Sequence, residues 1–324
     1  MRHSSPKSAP NAVQTHDLEA HMTQPDTSQE KQAKTLTEHL KSIGGALLIV
    51  ALTLLLLEGV LRVTDPWDIA YFNDLSVMGN EHFVGDAERG YTIQDGNYEY
   101  SHWEATIADE TRMIPNTNPD AACNIVILGD SVAFGYGVDD ADVWVNQLAG
   151  QFPNVHFVNT AIPRYNSTNV LQTYDVFPDG DAYLYMIVNN DTATAIDVET
   201  MEFAGGGEGL PYLVRYTNFA IFRGGGTAYI APDDPNNLVA DTAETRRFFS
   251  ELDTLLEDER VYLAAFELES VTNTLLDRDY DVTLLEYPPQ RISITDYHLT
   301  AEGNGELASQ LVPLIETMVS ERCS

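Results

Sequence analysis

A predominantly apolar stretch over residues 43–63 places the strongest constraint on how this chain can fold. It is 21 residues long and carries two ionisable side chains, Glu58 and Arg62, near its end. At about 1.5 Å per residue, a helix of this length measures about 31 Å, which is enough to cross the hydrocarbon core of a bilayer. Glu58 and Arg62 lie four residues apart, so they share one helix face and can pair. The sequence therefore predicts one transmembrane helix over residues 42–64.

The lysines on one side of this stretch predict its orientation. Lys31, Lys34 and Lys41 precede it, and no lysine follows it in the sequence. Because positive residues flanking a span stay in the cytoplasm, we expect a single-pass protein of the cell membrane with a cytoplasmic N-terminus and an extracytoplasmic body. The competing interpretation is a cleaved signal peptide. The long polar tail ahead of the stretch and the lack of an Ala-x-Ala-like site after Leu57 argue against it.

The net charge of −33 lies entirely beyond the apolar stretch. Residues 1–41 contain five basic and five acidic side chains, and their Ser-, Thr-, Gln- and Pro-rich composition predicts a disordered cytoplasmic tail. Residues 65–324 contain 11 Arg against 44 Asp or Glu. A body this acidic repels nucleic acid, which excludes that class of partner. Salt screens its self-repulsion, so we predict an acidic, halophilic protein, with an ordinary acidic exported enzyme as the alternative.

The body divides into two parts by its hydrophobic pattern. Residues 65–121 are polar and aromatic with weak periodicity, which predicts a linker and an irregular N-terminal cover. In residues 122–324, short apolar runs alternate with helical segments, and such alternation is typical of a parallel sheet with helices on both faces. We predict a flavodoxin-like three-layer α/β/α sandwich with a five-stranded parallel sheet, whose strands lie near residues 124–128, 155–159, 182–188, 261–266 and 282–285.

Residues 192–240 interrupt this alternation. They contain two glycine triplets, at 205–207 and 224–226, and the acidic run Asp233-Asp-Pro-Asn-Asn237. We predict an insertion over the carboxyl edge of the sheet, where doubly wound folds bind ligands. The acidic run lacks the ligand spacing of a calcium loop, so a solvated turn is favoured over a Ca²⁺ site.

The sequence Gly129-Asp130-Ser131 follows the first predicted strand and opens a helical segment. A serine at that position exposes its hydroxyl at the carboxyl edge of the sheet, and its backbone N–H lies near a helix N-terminus, where a developing oxyanion is stabilised. Ser and Asp are also ordinary N-cap residues, so the motif alone is weak evidence. A nucleophilic serine requires a base and oxyanion donors from other parts of the chain.

Candidates for the base and for the oxyanion donors follow later strands. Asn190 comes directly after the third predicted strand, where its side-chain amide is a neutral donor, although an Asx turn is the simpler interpretation. His298 precedes the last helix, and Asp296 lies close enough in sequence to orient it. The order of these residues, each in a loop near a strand end, favours nucleophilic catalysis by Ser131.

Four segments of the chain resemble the conserved blocks of the SGNH (GDSL-type) hydrolases. The apolar stretch ending in Glu-Gly-Val-Leu-Arg62 and the segment Glu88-Arg-Gly-Tyr91 also resemble membrane-anchored members of that family. The first and last blocks are specific, and the middle two are less so. The four segments are Ile127–Val138, Val158–Asn166, Val188–Asp191 and Asp296–Gly303.

The resemblance implies a role for each of five residues. Ser131 corresponds to the nucleophile, His298 to the general base and Asp296 to the residue that orients it. Asn190 and the backbone N–H groups of Ser131 and Arg164 correspond to the oxyanion donors. The resemblance implies a serine hydrolase acting on carboxylic ester bonds, and neither a metal nor an organic cofactor.

Three features depart from the family pattern. Arg164 and Asn189 stand where the family commonly has glycine. Asp296 precedes His298 by two residues, whereas the usual spacing is three. An arginine at position 164 could crowd the pocket or bind an anionic substrate, and pairing with the many carboxylates of this chain is the simpler role.

The two cysteines exclude a disulfide-framework protein and a Cys-rich zinc site. Cys123 precedes the first strand, at the sheet edge opposite Ser131. The last helix starts at the edge that carries His298 and should run back toward Cys123, ending near Cys323. In an oxidising compartment this topology predicts a disulfide between Cys123 and Cys323.

The leading functional prediction is a membrane-anchored esterase that cleaves small acyl esters, with acetyl groups on cell-surface carbohydrate as the expected substrate. An alternative keeps the same residues and passes the acyl group to a sugar hydroxyl, as an O-acyltransferase does. A third prediction, from another class, is a degenerate surface glycan-binding module without catalytic activity. The three departures from the family pattern are the features that keep this third prediction open.

Overall fold

The computed structural model describes residues 27–64, 82–100, 103–193, 212–214, 217, 238–267, 269–293 and 296–323. The chain divides into two compact units, residues 1–56 and residues 57–324. Most of the predicted insertion, including both glycine triplets and the acidic run, lies outside the described residues. The predicted tail up to residue 26 and the linker over 65–81 also lie outside them.

Helix α1, Thr27–Thr64, contains the predicted transmembrane stretch. Its segment Glu38–Thr64 has a mean hydropathy of 2.3, and in the described part of the chain it is the helix that is long and apolar enough to cross a membrane. Its leucine and isoleucine side chains from Leu40 to Leu57 are exposed rather than packed into a core. Arg62 Nε donates to Glu58 Oε1 at 2.6 Å, as their four-residue spacing predicts.

The remaining elements in the described residues are short strands and helices. The strands are β1 Phe83–Asp86, β2 Gly90–Ile93, β3 Gly96–Glu99, β4 Glu104–Ala108, β5 Thr111–Arg112, β6 Cys123–Gly129, β7 Val155–Asn159, β8 Ala182–Ile187, β9 Val261–Phe266, β10 Thr283–Leu285, β11 Arg291–Ser293 and β12 Asp296–Leu299. The helices are α2 Ser131–Phe134, α3 Trp144–Gln151, α4 Ser167–Val176, α5 Ala243–Leu255, α6 Ser270–Asp277 and α7 Ala301–Arg322.

The central sheet has the strand order β10-β9-β8-β6-β7-β5-β4-β3. The five strands from β10 to β7 are parallel, which confirms the predicted five-stranded parallel sheet. All six residues of β8 are buried, and β6 is buried except for the half-buried Asn124. Such runs form central strands because both of their faces are covered by helices.

Helices cover both faces of this sheet. The chain moves from β6 outward to β7 and then back across β6 to β8, β9 and β10. Because parallel crossovers are right-handed, this reversal places α3 on one face and α4, α5 and α6 on the other. Helix α7 packs against α3, and α5 packs against α4. The three-layer α/β/α arrangement is therefore as predicted.

The N-terminal cover is more regular than the sequence predicts. Strands β1 and β2 form an antiparallel hairpin, while β3, β4 and β5 extend the main sheet in antiparallel pairing. Strand β5 joins β7 through the pair Arg112↔Asn159. These strands have two to five residues each, so the alternation of their side chains is too short to be recognised in the sequence.

Cys123 begins β6, and Cys323 follows the last residue of α7. The two residues form a disulfide with a Cα–Cα distance of 5.3 Å and a sequence separation of 200 residues. The disulfide thus ties the start of the central strand to the end of the last helix, at the sheet edge opposite Ser131.

Candidate active site

Ser131 lies at the turn between β6 and the one-turn helix α2. Gly129 adopts φ 144°, and a Cβ atom there would lie 2.9 Å from the carbonyl oxygen of Met186, so the turn requires glycine. Asp130 is the N-cap of α2, and its side chain accepts from the backbone N–H of Val132 at 2.9 Å. The sequence folds locally in this way because a buried strand, a glycine and a cap residue follow one another.

His298 faces Ser131 across the carboxyl edge of the sheet. Its Nε2 lies 2.8 Å from Ser131 Oγ. His298 belongs to β12, which pairs with β11 in an antiparallel hairpin that the sequence analysis does not predict. The Tyr136 ring lies against the imidazole, with 5.0 Å between ring centroids. A neutral imidazole in this position can take the proton of the Ser131 hydroxyl, which is the chemistry of a general base.

Asp296 lies two residues before His298 on the same strand, β12. The pairing of β11 with β12 shifts register between Arg291 and Ser293, so this strand departs from regular alternation. The side chain of Asp296 lies outside the described part of the structure. Its role in orienting His298 stays a prediction.

Asp130 is the buried residue that joins Ser131 to Asn190. Its Oδ2 accepts from Asn190 Nδ2 at 2.9 Å and lies 3.2 Å from Ser131 Oγ. Burial raises the pKa of Asp130, and hydrogen bonds from Val132 and Asn190 oppose that shift. From the sequence alone, Asp130 is of a residue type that commonly caps helices. In the structure it also holds the Asn190 amide, which keeps a second N–H for another acceptor.

Arg164 has a backbone φ of 70°, in the left-handed region. This conformation is costly for any residue with a Cβ, which explains why glycine suits the position. Two tyrosines hold the surrounding loop: Tyr91 Oη donates to the Pro163 carbonyl at 3.1 Å, and Tyr165 Oη donates to the Tyr91 carbonyl at 2.6 Å. The Arg164 side chain is half-buried. The role of its backbone N–H as an oxyanion donor stays a prediction.

Arg112 of β5 stabilises the segment that follows α2. Its guanidinium is fully buried and pairs with Asp140 Oδ1 at 3.0 Å. It also donates to the carbonyl oxygens of Phe134, Gly135 and Val138. These bonds fix the loop that carries Tyr136 beneath His298. The sequence offers no signal for this role, because Arg112 stands in the segment of weak periodicity.

Two further buried carboxyl groups lie behind Asn190. Burial and the charge of Asp130 raise the pKa of Asp191 well above its ordinary value, and Asp191 Oδ2 accepts from the Val188 N–H at 2.8 Å. Burial raises the pKa of Glu269 to about 8, and the charge of Asp130 adds to the shift. Sequence reasoning missed both groups as part of the site.

The potential metal ligands that the structure brings together within its described residues are Cys123, Asp181 and Cys323. The two sulfur atoms of this trio are joined in the disulfide, so they are not thiolate ligands. The acidic run that the sequence analysis considers for Ca²⁺ lies outside the described ranges.

The fold and the site together define an α/β protein with a serine–histidine pair at the carboxyl edge of its parallel sheet. No protein-family profile matches the sequence, and no curated protein matches it. Among solved structures, the chain is similar to the psychrotrophic esterase EstA from Pseudoalteromonas sp., with 14% identity over 61% of this chain and 98% of that chain, and a TM-score of 0.36.

Two other similar structures are of carbohydrate esterases. One is a carbohydrate esterase family 2 enzyme with a carbohydrate-binding domain from Corynascus thermopiles (Myceliophthora fergusii), with 13% identity, coverage of 71% and 74%, and a TM-score of 0.39. The other is a carbohydrate acetylesterase family member from Sinorhizobium meliloti, with 13% identity, coverage of 61% and 99%, and a TM-score of 0.33. At these values the similarity transfers no activity to this chain, so a function has to rest on the geometry of its own residues.

Proposed function

We propose that this protein is a membrane-anchored serine esterase of the SGNH type that cleaves small acyl esters. The observation that carries the proposal is the 2.8 Å distance between His298 Nε2 and Ser131 Oγ at the N-terminus of α2. A serine hydroxyl in contact with an imidazole, beside a side-chain amide, is the arrangement that acyl transfer requires. A module that only binds glycans has no need for it.

The geometry supports a two-step mechanism. His298 takes the Ser131 proton as Oγ attacks the ester carbonyl carbon, and the carbonyl oxygen becomes an oxyanion. The Ser131 N–H, the second N–H of the Asn190 amide and the Arg164 N–H stabilise that oxyanion. The intermediate collapses with cleavage of the ester C–O bond, and His298 donates its proton to the leaving alcohol. Water then attacks the acyl-enzyme, with His298 again as base, and releases the acid and free Ser131.

The anchor and the charge of the chain suggest where this chemistry takes place. Helix α1 would hold the enzyme in the cell membrane, with the N-terminus in the cytoplasm and residues 65–324 outside, by the distribution of lysines. An outward-facing esterase meets acylated carbohydrate at the cell surface, so acetyl esters of surface glycans are the proposed substrates.

The test is labelling of the full-length chain, in detergent and high salt, with a fluorophosphonate probe that reacts with activated serines. We expect wild-type labelling and its loss in Ser131→Ala and His298→Ala. Ser309→Ala, at an exposed serine of α7, serves as the matched control and should label normally. A folded wild-type protein that takes no label refutes the proposed esterase and leaves the degenerate glycan-binding module as the better interpretation.

A second measurement separates hydrolysis from transfer. With p-nitrophenyl acetate and an added sugar, free acetate is the expected product of an esterase. Acetylated sugar as the main product would instead assign the chain to O-acyltransfer with the same acyl-enzyme.

A further inference from the structure

We propose that Glu269 is a positioning residue for the oxyanion donor Asn190. It acts through a clamp, which is a group of hydrogen bonds between the loop after β8 and the start of α6. The clamp consists of Asn189, Glu269, Ser270 and Val271. This inference rests on the proposed function, because it assigns Asn190 to the oxyanion of an acyl-transfer intermediate. It adds to that function a residue from a part of the chain that none of the predicted site residues occupies.

The clamp is reciprocal. Glu269 Oε2 accepts from the backbone N–H of Asn189 at 2.9 Å. In the other direction, Asn189 Oδ1 accepts from Ser270 Oγ and from the Val271 N–H, both at 3.0 Å. The partners lie at least 80 residues apart in sequence. Three hydrogen bonds therefore join the loop and the helix across the sheet edge.

The Glu269 carboxyl group bonds to the loop rather than to its own helix. Glu269 is the N-cap residue of α6, yet its side chain makes no cap hydrogen bond to that helix. The side chain that satisfies the first-turn N–H of Val271 belongs to Asn189. Glu269 is 8% exposed, and a buried carboxyl group is costly unless it is hydrogen-bonded. Its bond to the Asn189 N–H is the compensation that the structure provides.

The clamp acts on Asn190 because Asn190 is the next residue. The Asn190 amide donates to Asp130 Oδ2 at 2.9 Å, and the same oxygen lies 3.2 Å from Ser131 Oγ. The turn that contains Asn190 closes through the Asp191 N–H, which donates to the Val188 carbonyl at 3.0 Å. Asn190 is thus held by Asp130 on the nucleophile side and by the clamp on the other.

This arrangement also gives a physical reason for Asn189, which stands where the resembled family commonly has glycine. Glycine has no side-chain acceptor and could not bind Ser270 and Val271. In this chain, the asparagine at position 189 and the glutamate at position 269 form one unit, and the loss of either should loosen the same donor.

The experiment measures hydrolysis of p-nitrophenyl acetate by the full-length chain in detergent. We expect Glu269→Ala to lower kcat by about ten- to fiftyfold, less than the 10²–10³ that deletion of an oxyanion donor costs, with KM changed less than about twofold. Glu269→Gln should recover activity to within about threefold of wild type, because its amide oxygen can accept from the Asn189 N–H. Glu267→Ala, at an exposed glutamate two residues away, is the matched control and should be unchanged.

A double-mutant cycle distinguishes positioning from a general loss of structure. In the Asn190→Ala background, Glu269→Ala should cause no further loss of kcat, because the residue through which it acts is gone. Independent, additive losses would overturn the proposal. If Glu269→Ala fails to fold, Asn189→Gly replaces it in the cycle, since it removes the other half of the clamp.

The two proposals fail in different ways. A wild-type protein without fluorophosphonate labelling overturns the esterase and the clamp together. Normal labelling and turnover in the wild type, with Glu269→Ala as fast as wild type, overturns the clamp alone.

Discussion

Replacing Glu269 by glutamine should make the folded body more stable at alkaline pH, although it removes a carboxyl group that accepts a hydrogen bond. Burial raises the pKa of Glu269 from its ordinary 4.5 to about 8. The folded protein therefore keeps a proton that the unfolded chain releases between these two pH values. Under that condition the free energy of unfolding falls as pH rises from 4.5 to 8, and it levels off above 8.

The size of this change in the free energy of unfolding follows from the pKa shift of Glu269. A difference of about 3.5 pKa units, at about 1.4 kcal/mol per unit, corresponds to about 5 kcal/mol of stability lost by the wild type above pH 8. Glutamine does not titrate, and its oxygen still accepts from the Asn189 N–H. The charge of Asp130 contributes to the pKa shift of Glu269, and the charge of Glu269 in turn raises the pKa of Asp191. Removal of the Glu269 charge therefore also removes one of the charges that raise the pKa of Asp191.

The assay is urea unfolding of the body, residues 65–324, followed by tryptophan fluorescence at pH 5, 7 and 9 and constant salt. Glu269→Gln should match the wild type near pH 5 and exceed its free energy of unfolding by several kcal/mol at pH 9. Glu267→Gln controls for the loss of one acidic charge from an exposed position. A difference between Glu269→Gln and the wild type that does not change with pH would refute the reasoning.

Three other predictions concern stability. Arg112→Met should lower the free energy of unfolding by about 3–5 kcal/mol, because it leaves Asp140 and three backbone carbonyls without their buried donor. Arg246→Met, at an exposed ion pair, is the control and should change this free energy by less than about 0.5 kcal/mol in the same urea titration. Reduction of the Cys123–Cys323 disulfide, which closes a loop of 200 residues, should lower the free energy of unfolding by about 5 kcal/mol. Thiol counting on unreduced, denatured protein should find no reactive thiol, and two reactive thiols would contradict the disulfide. The melting temperature of the body should rise between about 0.05 and 2 M NaCl, because salt screens its acidic surface, and an unchanged value would argue against salt adaptation.

Local patterns in the sequence were sufficient to predict the apolar helix and the central parallel strands. The long apolar stretch becomes part of helix α1, and the runs at β6 and β8 become central parallel strands. Helix α5 begins after Thr242, whose side chain caps it by accepting from the Thr245 N–H. These features depend on residues that are neighbours in sequence, so their physical causes can be read locally.

The site was only partly predictable. Ser131 and His298 could be selected from the sequence because each has a recognisable local setting. Ser131 follows a strand at a turn into a helix, and His298 precedes the last helix. Their hydrogen bond joins residues 167 positions apart, and the hairpin that carries His298 was not predicted. Strand β11 has three residues, too few for a pattern to specify its partner.

Periodicity and chain order in the sequence specify the apolar helix, the parallel core, and the serine and histidine that are proposed as nucleophile and base. The burial of Arg112 beneath helix α2, and the hydrogen bonds from Asn190 to Asp130 and from the neighbouring Asn189 to Glu269, arise only in the tertiary fold. The side chains of Arg112, Asp130 and Glu269 are ionisable, and ionisable residues are normally exposed. Their burial depends on donors and acceptors that the fold brings from distant parts of the chain.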